Sequence, residues 1–319
     1  MTRLILSTGN IISGGPSIIR KPGAYRSNLE LTNSLRSSFL AAQQDYGAAA
    51  LSDANGAATS NGTAPVPSHV NGDKTATDVW TEKVGDILYV PRIDWSLAGL
   101  QEDREAYEIT LKLFFLPTAP VSQRPEYIEA ALQLVKKELG VKNVDLLIVS
   151  FPGIAFEGDC EWEADKLNAT MGSEEDEATT WATLEKLHER GEVQRLGLAE
   201  FGTEKLSHFI QKTKVRPAVN QINTRNCCNV PPPLIELAKK ENIELLTHTD
   251  CTDVLPGGTL RELLGQGLQG AGILADESSS EGLKGDLMPQ WVVKYTAFVK
   301  DRGVIENKGY FAGAQLLGE

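Results

Sequence analysis

Cys227 and Cys228 are adjacent, in an Asn-rich turn between an apolar run and a proline triplet. Two neighbouring thiols there either fill a turn or face a partner as a contact or redox-sensitive patch. Cys251 lies just beyond the next apolar run, on the same expected face, and could join them. Adjacency excludes C-x-x-C redox or zinc geometry. The histidines (His69, His188, His208, His248) show no metal-ligand spacing with cysteines, so no metal site is expected. Gly14-Gly15-Pro16 is only a turn, and no Walker-type loop is present to cradle a phosphate. The remaining chemical group is Lys112, near the end of REAYEITLKLFF, where a lone lysine has an ordinary reading as a residue of the fold.

The elements that would position these groups alternate. ATTWATLEKLHERGEV places Trp181, Leu184 and Leu187 about one helical turn apart among charges, an amphipathic helix stopped by Gly191. QRLGLAEF is a short strand, and Thr203 is expected to cap the helix TEKLSHFIQKT. AVNQIN, PPPLIELAKKE and NIELLTHTD continue as strand, helix and strand, which implies parallel βα units. Upstream, residues 125–140 form a helix ended by Gly140, and NVDLLIVSFP is a strand of the kind buried in a parallel sheet. LILSTGNIISGG is a first strand, followed by a helix over 28–46. Residues 290–300 are expected as a helix, with GVIENKGY as a short strand after it.

WATLEKLHERGEVQRLGLAEF, RPAVNQIN and LAKKENIELL resemble the central strands and helices of the aldo-keto reductase superfamily. The resemblance implies an α/β fold, a (β/α)8 TIM barrel of aldo-keto reductase type. NQINTRNCCNVPPPLIELAKKENIELLTHTD and VKYTAFVKDRGVIENKGYF are similar to one non-catalytic branch, the regulatory (modifier) subunits of glutamate–cysteine ligase. That branch implies a heterodimer with a catalytic subunit, raised activity and glutamate use, and relief of glutathione feedback in glutathione biosynthesis. It carries no cofactor requirement.

The reductase site itself is incomplete. Lys112 occupies the position of the family's lysine, but Ser150 stands where the family has its histidine. No Asp-x-Ala-x-x-Tyr pattern precedes the lysine strand. The resemblance makes Ala199-Glu200 a replacement for a Ser-Asn pair that holds the nicotinamide amide. Gln221 is retained, and His248 replaces a stacking tyrosine. Glu306 follows directly where the family grips a 2′-phosphate, and the C-terminus is shortened. The alternative is an NADPH-dependent reductase with a degenerate site. The partner surface is expected around Cys227, Cys228 and His248 and along residues 291–310.

The chain has 319 residues, enough for one barrel domain over 1–319. A formal net charge of -12, with no basic run, excludes nucleic-acid binding through phosphate neutralisation. Solubility explains such a charge, and a basic patch on a partner subunit is the sharper reading. No apolar run reaches membrane-spanning length and the N-terminus has no signal pattern, so a cytoplasmic protein is expected. Residues 47–79 are Ala-, Ser-, Asn- and Gly-rich and are expected as a disordered insertion. Residues 157–177 form an acidic loop, and 256–286 a Gly/Ser-rich loop region with one helical piece at Thr259–Leu264.

Overall fold

In the computed structural model the described residues are 2–12, 27–55, 75–224, 229–251, 253–277 and 282–318. Five parallel strands form one half of the sheet: β4 (Tyr107–Phe115), β5 (Val144–Ser150), β6 (Val193–Ala199), β7 (Val219–Asn223) and β8 (Glu244–His248). Helices α3 (Arg124–Leu139), α4 (Glu161–Asn168), α5 (Glu174–Glu189), α6 (Thr203–Lys212) and α7 (Pro232–Glu241) join them. This is the predicted βα alternation, because parallel neighbours need a crossover and a helix is the compact way to make one. Gly140 ends α3 at φ +65, where its hydrogen replaces a Cβ that would meet the Gly99 backbone at 3.1 Å.

Five further strands extend the sheet. The pair β2 (Glu82–Val84) and β3 (Ile87–Val90) follows β1 (Arg3–Ser7), α1 (Ser27–Asn55) and the short α2 (Thr77–Trp80). After α8 (Thr259–Leu264) come β9 (Asp286–Val299) and β10 (Val304–Leu317), an antiparallel hairpin placed between β4 and β1. The sheet order is β2-β3-β1-β10-β9-β4-β5-β6-β7-β8.

Strand β9 corrects the helix expected over 290–300. The segment WVVKYTAFV is rich in β-branched and aromatic residues, which fit a pleated surface. Trp291, Val293, Tyr295, Ala297 and Val299 face one core while Val292 joins another, a period of two. The short strand expected after it is instead fourteen residues long. It pairs with β9 along its length, with register shifts between Ile305 and Asn307 and between Gly313 and Ala314, and its residues 311–315 also pair with β1.

The main core packs α3, α5 and α6 against β4–β7 and the hairpin, with Trp181 edge-on to Phe209 at 5.1 Å. A second core lies under α1 and α8, against Leu4, Leu6, Tyr310, Ala312 and Leu316. Helix α1 runs nine residues beyond the expected end at 46, through the start of the expected insertion; residues 56–74 lie outside the described residues. The expected acidic loop over 157–177 contains α4 and the start of α5. Ser173 caps α5, accepting from the Asp176 amide at 3.3 Å. The acidic cluster Glu174 to Glu177 thus fills a helix's first turn, where negative charge opposes the positive end of the dipole.

Candidate functional site

Lys112 lies on β4 directly opposite Lys294 of β9 in the antiparallel register. Two ammonium groups so placed repel unless an anion lies between them. Asp250, just past β8, is that anion: its carboxylate accepts from Lys112 Nζ at 3.1 Å and from Lys294 Nζ at 2.9 Å. Lys112 is only 5% exposed, and Asp250 and Lys294 are mostly buried. Burial pushes the Lys112 pKa down, against the pull of the Asp250 charge. Burial alone would raise Asp250, but the two lysines hold its carboxyl far below the usual range.

A second pair completes the cluster. His248 Nδ1 accepts the Asp250 amide at 3.1 Å, which leaves the ring hydrogen of the neutral tautomer on Nε2. That nitrogen lies 2.5 Å from Glu200 Oε1, in contact but out of hydrogen-bond alignment. The other Glu200 oxygen accepts from the Phe156 amide at 2.9 Å. Glu200 is 2% exposed and has φ +67, a left-handed conformation that costs a non-glycine residue on the order of 1 kcal/mol. The surroundings enforce it: its amide donates to Gln221 O at 2.7 Å and its carbonyl accepts from Asn168 Nδ2 at 2.7 Å.

Asn168, fully buried on α4, also donates to Ala155 O at 2.8 Å and accepts from the Gly202 amide at 2.6 Å. It ties the chain after β5 to the end of β6. Asn168→Ala leaves those backbone groups unpaired, and a loss of about 2–3 kcal/mol in urea unfolding is expected. A change under 0.5 kcal/mol would mean that water replaces the amide.

The strand ends therefore bring together Lys112, His248 and Glu200 from the sequence reading. They add Asp250, which ends THTD without any motif, and Lys294, which was hidden by reading 290–300 as helix. Ser150 is buried at the end of β5, paired in register with Phe114. Gln221 lies on β7 with its Oε1 buried and, among the described residues, without a hydrogen-bond partner. Cys227 and Cys228 lie outside the described residues. Cys251 is half-buried, its amide donating to Ser27 Oγ at 2.8 Å and its thiol to Asn28 Oδ1 at 3.3 Å, so α1 covers it. Trp291 and Tyr310 are 2% and 0% exposed, which removes both from the partner surface expected over 291–310. Thr203 does not cap α6 with its own oxygen. Asp165 of α4 accepts from both the Thr203 amide at 2.6 Å and its hydroxyl at 2.7 Å.

Among the described residues, no three His, Cys, Asp or Glu side chains gather as metal ligands, and no helix is long and apolar enough to cross a membrane. At the strand ends the Lys112 ammonium is bound to Asp250, and Glu200 is a buried carboxylate.

The sequence pattern of the aldo/keto reductase family matches residues 94–272, and the chain belongs to that family. Its fold is α/β, of aldo-keto reductase type. The chain is similar to the glutamate–cysteine ligase regulatory subunit of Mus musculus, 28% identical over 217 residues, 68% of this chain and 69% of that one. With aldo-keto reductase family 1 member C13 of Mesocricetus auratus it shares 26% identity over 125 residues, 39% of this chain and 38% of that one. An aldo-keto reductase structure from a Medee basin deep-sea metagenome aligns with a TM-score of 0.33 at 23% identity, over 46% of this chain and 45% of that chain. The chain thus spans less than half the length of those last two proteins.

Proposed function

We propose that this chain is the regulatory subunit of glutamate–cysteine ligase. It binds the catalytic subunit in a heterodimer, raises its activity and glutamate use, and relieves glutathione feedback inhibition. The observation that carries the non-catalytic part is the strand-end cluster. Its charges neutralise one another, so the Lys112 ammonium is held by Asp250 rather than offered to a carbonyl. The regulatory part is supported by similarity to a named regulatory subunit over about two thirds of both chains. Activation requires tighter binding to the active conformation of the partner than to the inactive one.

The test adds the purified chain to a recombinant catalytic subunit and assays ligase rate against glutathione. The expected result is a higher rate and a glutathione inhibition curve moved to higher concentration. An unchanged curve at saturating chain would overturn the reading. The reductase alternative makes an opposite prediction: NADPH would quench the tryptophan fluorescence and be oxidised by a carbonyl panel. No quenching is expected.

A further inference from the structure

Of the five tryptophans, Trp162 alone is more than half exposed, at 56%. It projects from α4, whose buried residues Ala164 and Asn168 seat the helix and leave Trp162 on the open side. Trp162, Asp165 and Lys166 are three and four residues apart, so they share one helix face. Together with Thr203, Glu204, Ser207 and His208 of α6 they line an open cleft of about 420 Å³. The cleft has a rigid wall, because Asp165 is held by the amide and hydroxyl of Thr203.

An exposed indole costs solvation free energy, and tryptophan at a cleft rim is the residue type that most often anchors a protein interface. The charge around it selects the partner. Residues 157–163 carry Glu157, Asp159, Glu161 and Glu163 and no basic residue. The cleft adds Glu204, exposed on α6, beside Lys166, while His208 faces Glu174 of α5, so the acidic excess lies on the flank over 157–163. A second copy of this chain would bring the same acidic face to a molecule of net charge -12, and like charge disfavours that pairing.

We propose that the Trp162 cleft is a docking surface for the ligase catalytic subunit. It receives a segment with an apolar anchor flanked by lysine or arginine. This rests on the regulatory-subunit reading and names the surface that serves it. The indole and the cleft supply the buried anchor. The acidic flank supplies orientation and a fast, salt-sensitive approach.

The test titrates recombinant catalytic subunit with the full chain, with W162A, and with the charge reversal E161K/E163K, by calorimetry at low and moderate salt. W162A is expected to weaken Kd tenfold or more with an unchanged melting temperature, because the side chain is largely solvated. E161K/E163K is expected to weaken Kd severalfold at low salt and to flatten the salt dependence seen with the wild type. Wild-type binding that both folded variants match within twofold would overturn the surface while leaving the regulatory reading standing. No wild-type complex at all would overturn both. A wild-type homodimer in sedimentation that W162A dissociates would assign the cleft to self-association and overturn the proposal.

Discussion

Asp250→Asn is expected to lower the unfolding free energy by about 3–5 kcal/mol, the usual cost of removing one partner from a buried ionic cluster. The substitution keeps the shape and removes the carboxylate that bridges Lys112 and Lys294, which face each other across β4 and β9. Asparagine satisfies one donor as an acceptor but cannot screen two ammonium charges. Urea unfolding at neutral pH reads the loss. The double variant D250N/K112M should recover at least half of it, because Lys294 alone is exposed enough to turn toward water. A D250N protein within 0.5 kcal/mol of wild type would show that the lysines relax without their counter-ion.

The same carboxylate sets an acid limit. Its folded pKa is depressed, so its contribution is whole above the ordinary aspartate titration near pH 4 and is lost as pH falls below it. Wild type should lose stability faster than D250N between about pH 4 and pH 2. Parallel acid curves for the two proteins would contradict this.

Lys205→Met carries the second large effect, again about 3–5 kcal/mol. Lys205 of α6 and Glu177 of α5 lie 2.8 Å apart with side chains 3% and 2% exposed. Lys205 also donates to Met171 O at 2.7 Å, so it joins the start of α5 to α6. Burial already raises the Glu177 pKa, in spite of the lysine beside it. Without Lys205 the carboxylate is buried and unpaired, and its folded pKa rises further. A raised folded pKa means stability that is present at low pH and lost as pH rises through that value. The K205M deficit should therefore be largest at neutral pH and shrink toward pH 4. A deficit that stays constant with pH would assign the loss to packing rather than to charge. Glu177→Gln in the same background should restore part of the stability at pH 7.

The parallel core was legible from order alone. QRLGLAEF, AVNQIN and NIELLTHTD are short apolar runs separated by amphipathic stretches, and no arrangement buries them as compactly as parallel βα units. The helix stop at Gly140 and the helical piece at Thr259–Leu264 were likewise local, since a left-handed cap and a short amphipathic turn depend on few neighbours. Ser150 and Glu200 were legible too, because residue identities need no geometry.

The tertiary structure decided the rest. Residues 286–317 became a long antiparallel hairpin because its alternate faces meet two different cores, which no local window contains. That hairpin delivers Lys294 to Lys112, a contact 182 positions apart in the chain that only the register of β4 with β9 creates. Asp250 had no signal beyond being acidic. Its role exists because the fold places two ammonium groups around it, and a buried charge is tolerated only with its counter-charges in contact. Sequence periodicity determined which segments are buried. Which charges those segments bring together was decided by strand order, because electrostatic pairing acts across space rather than along the chain.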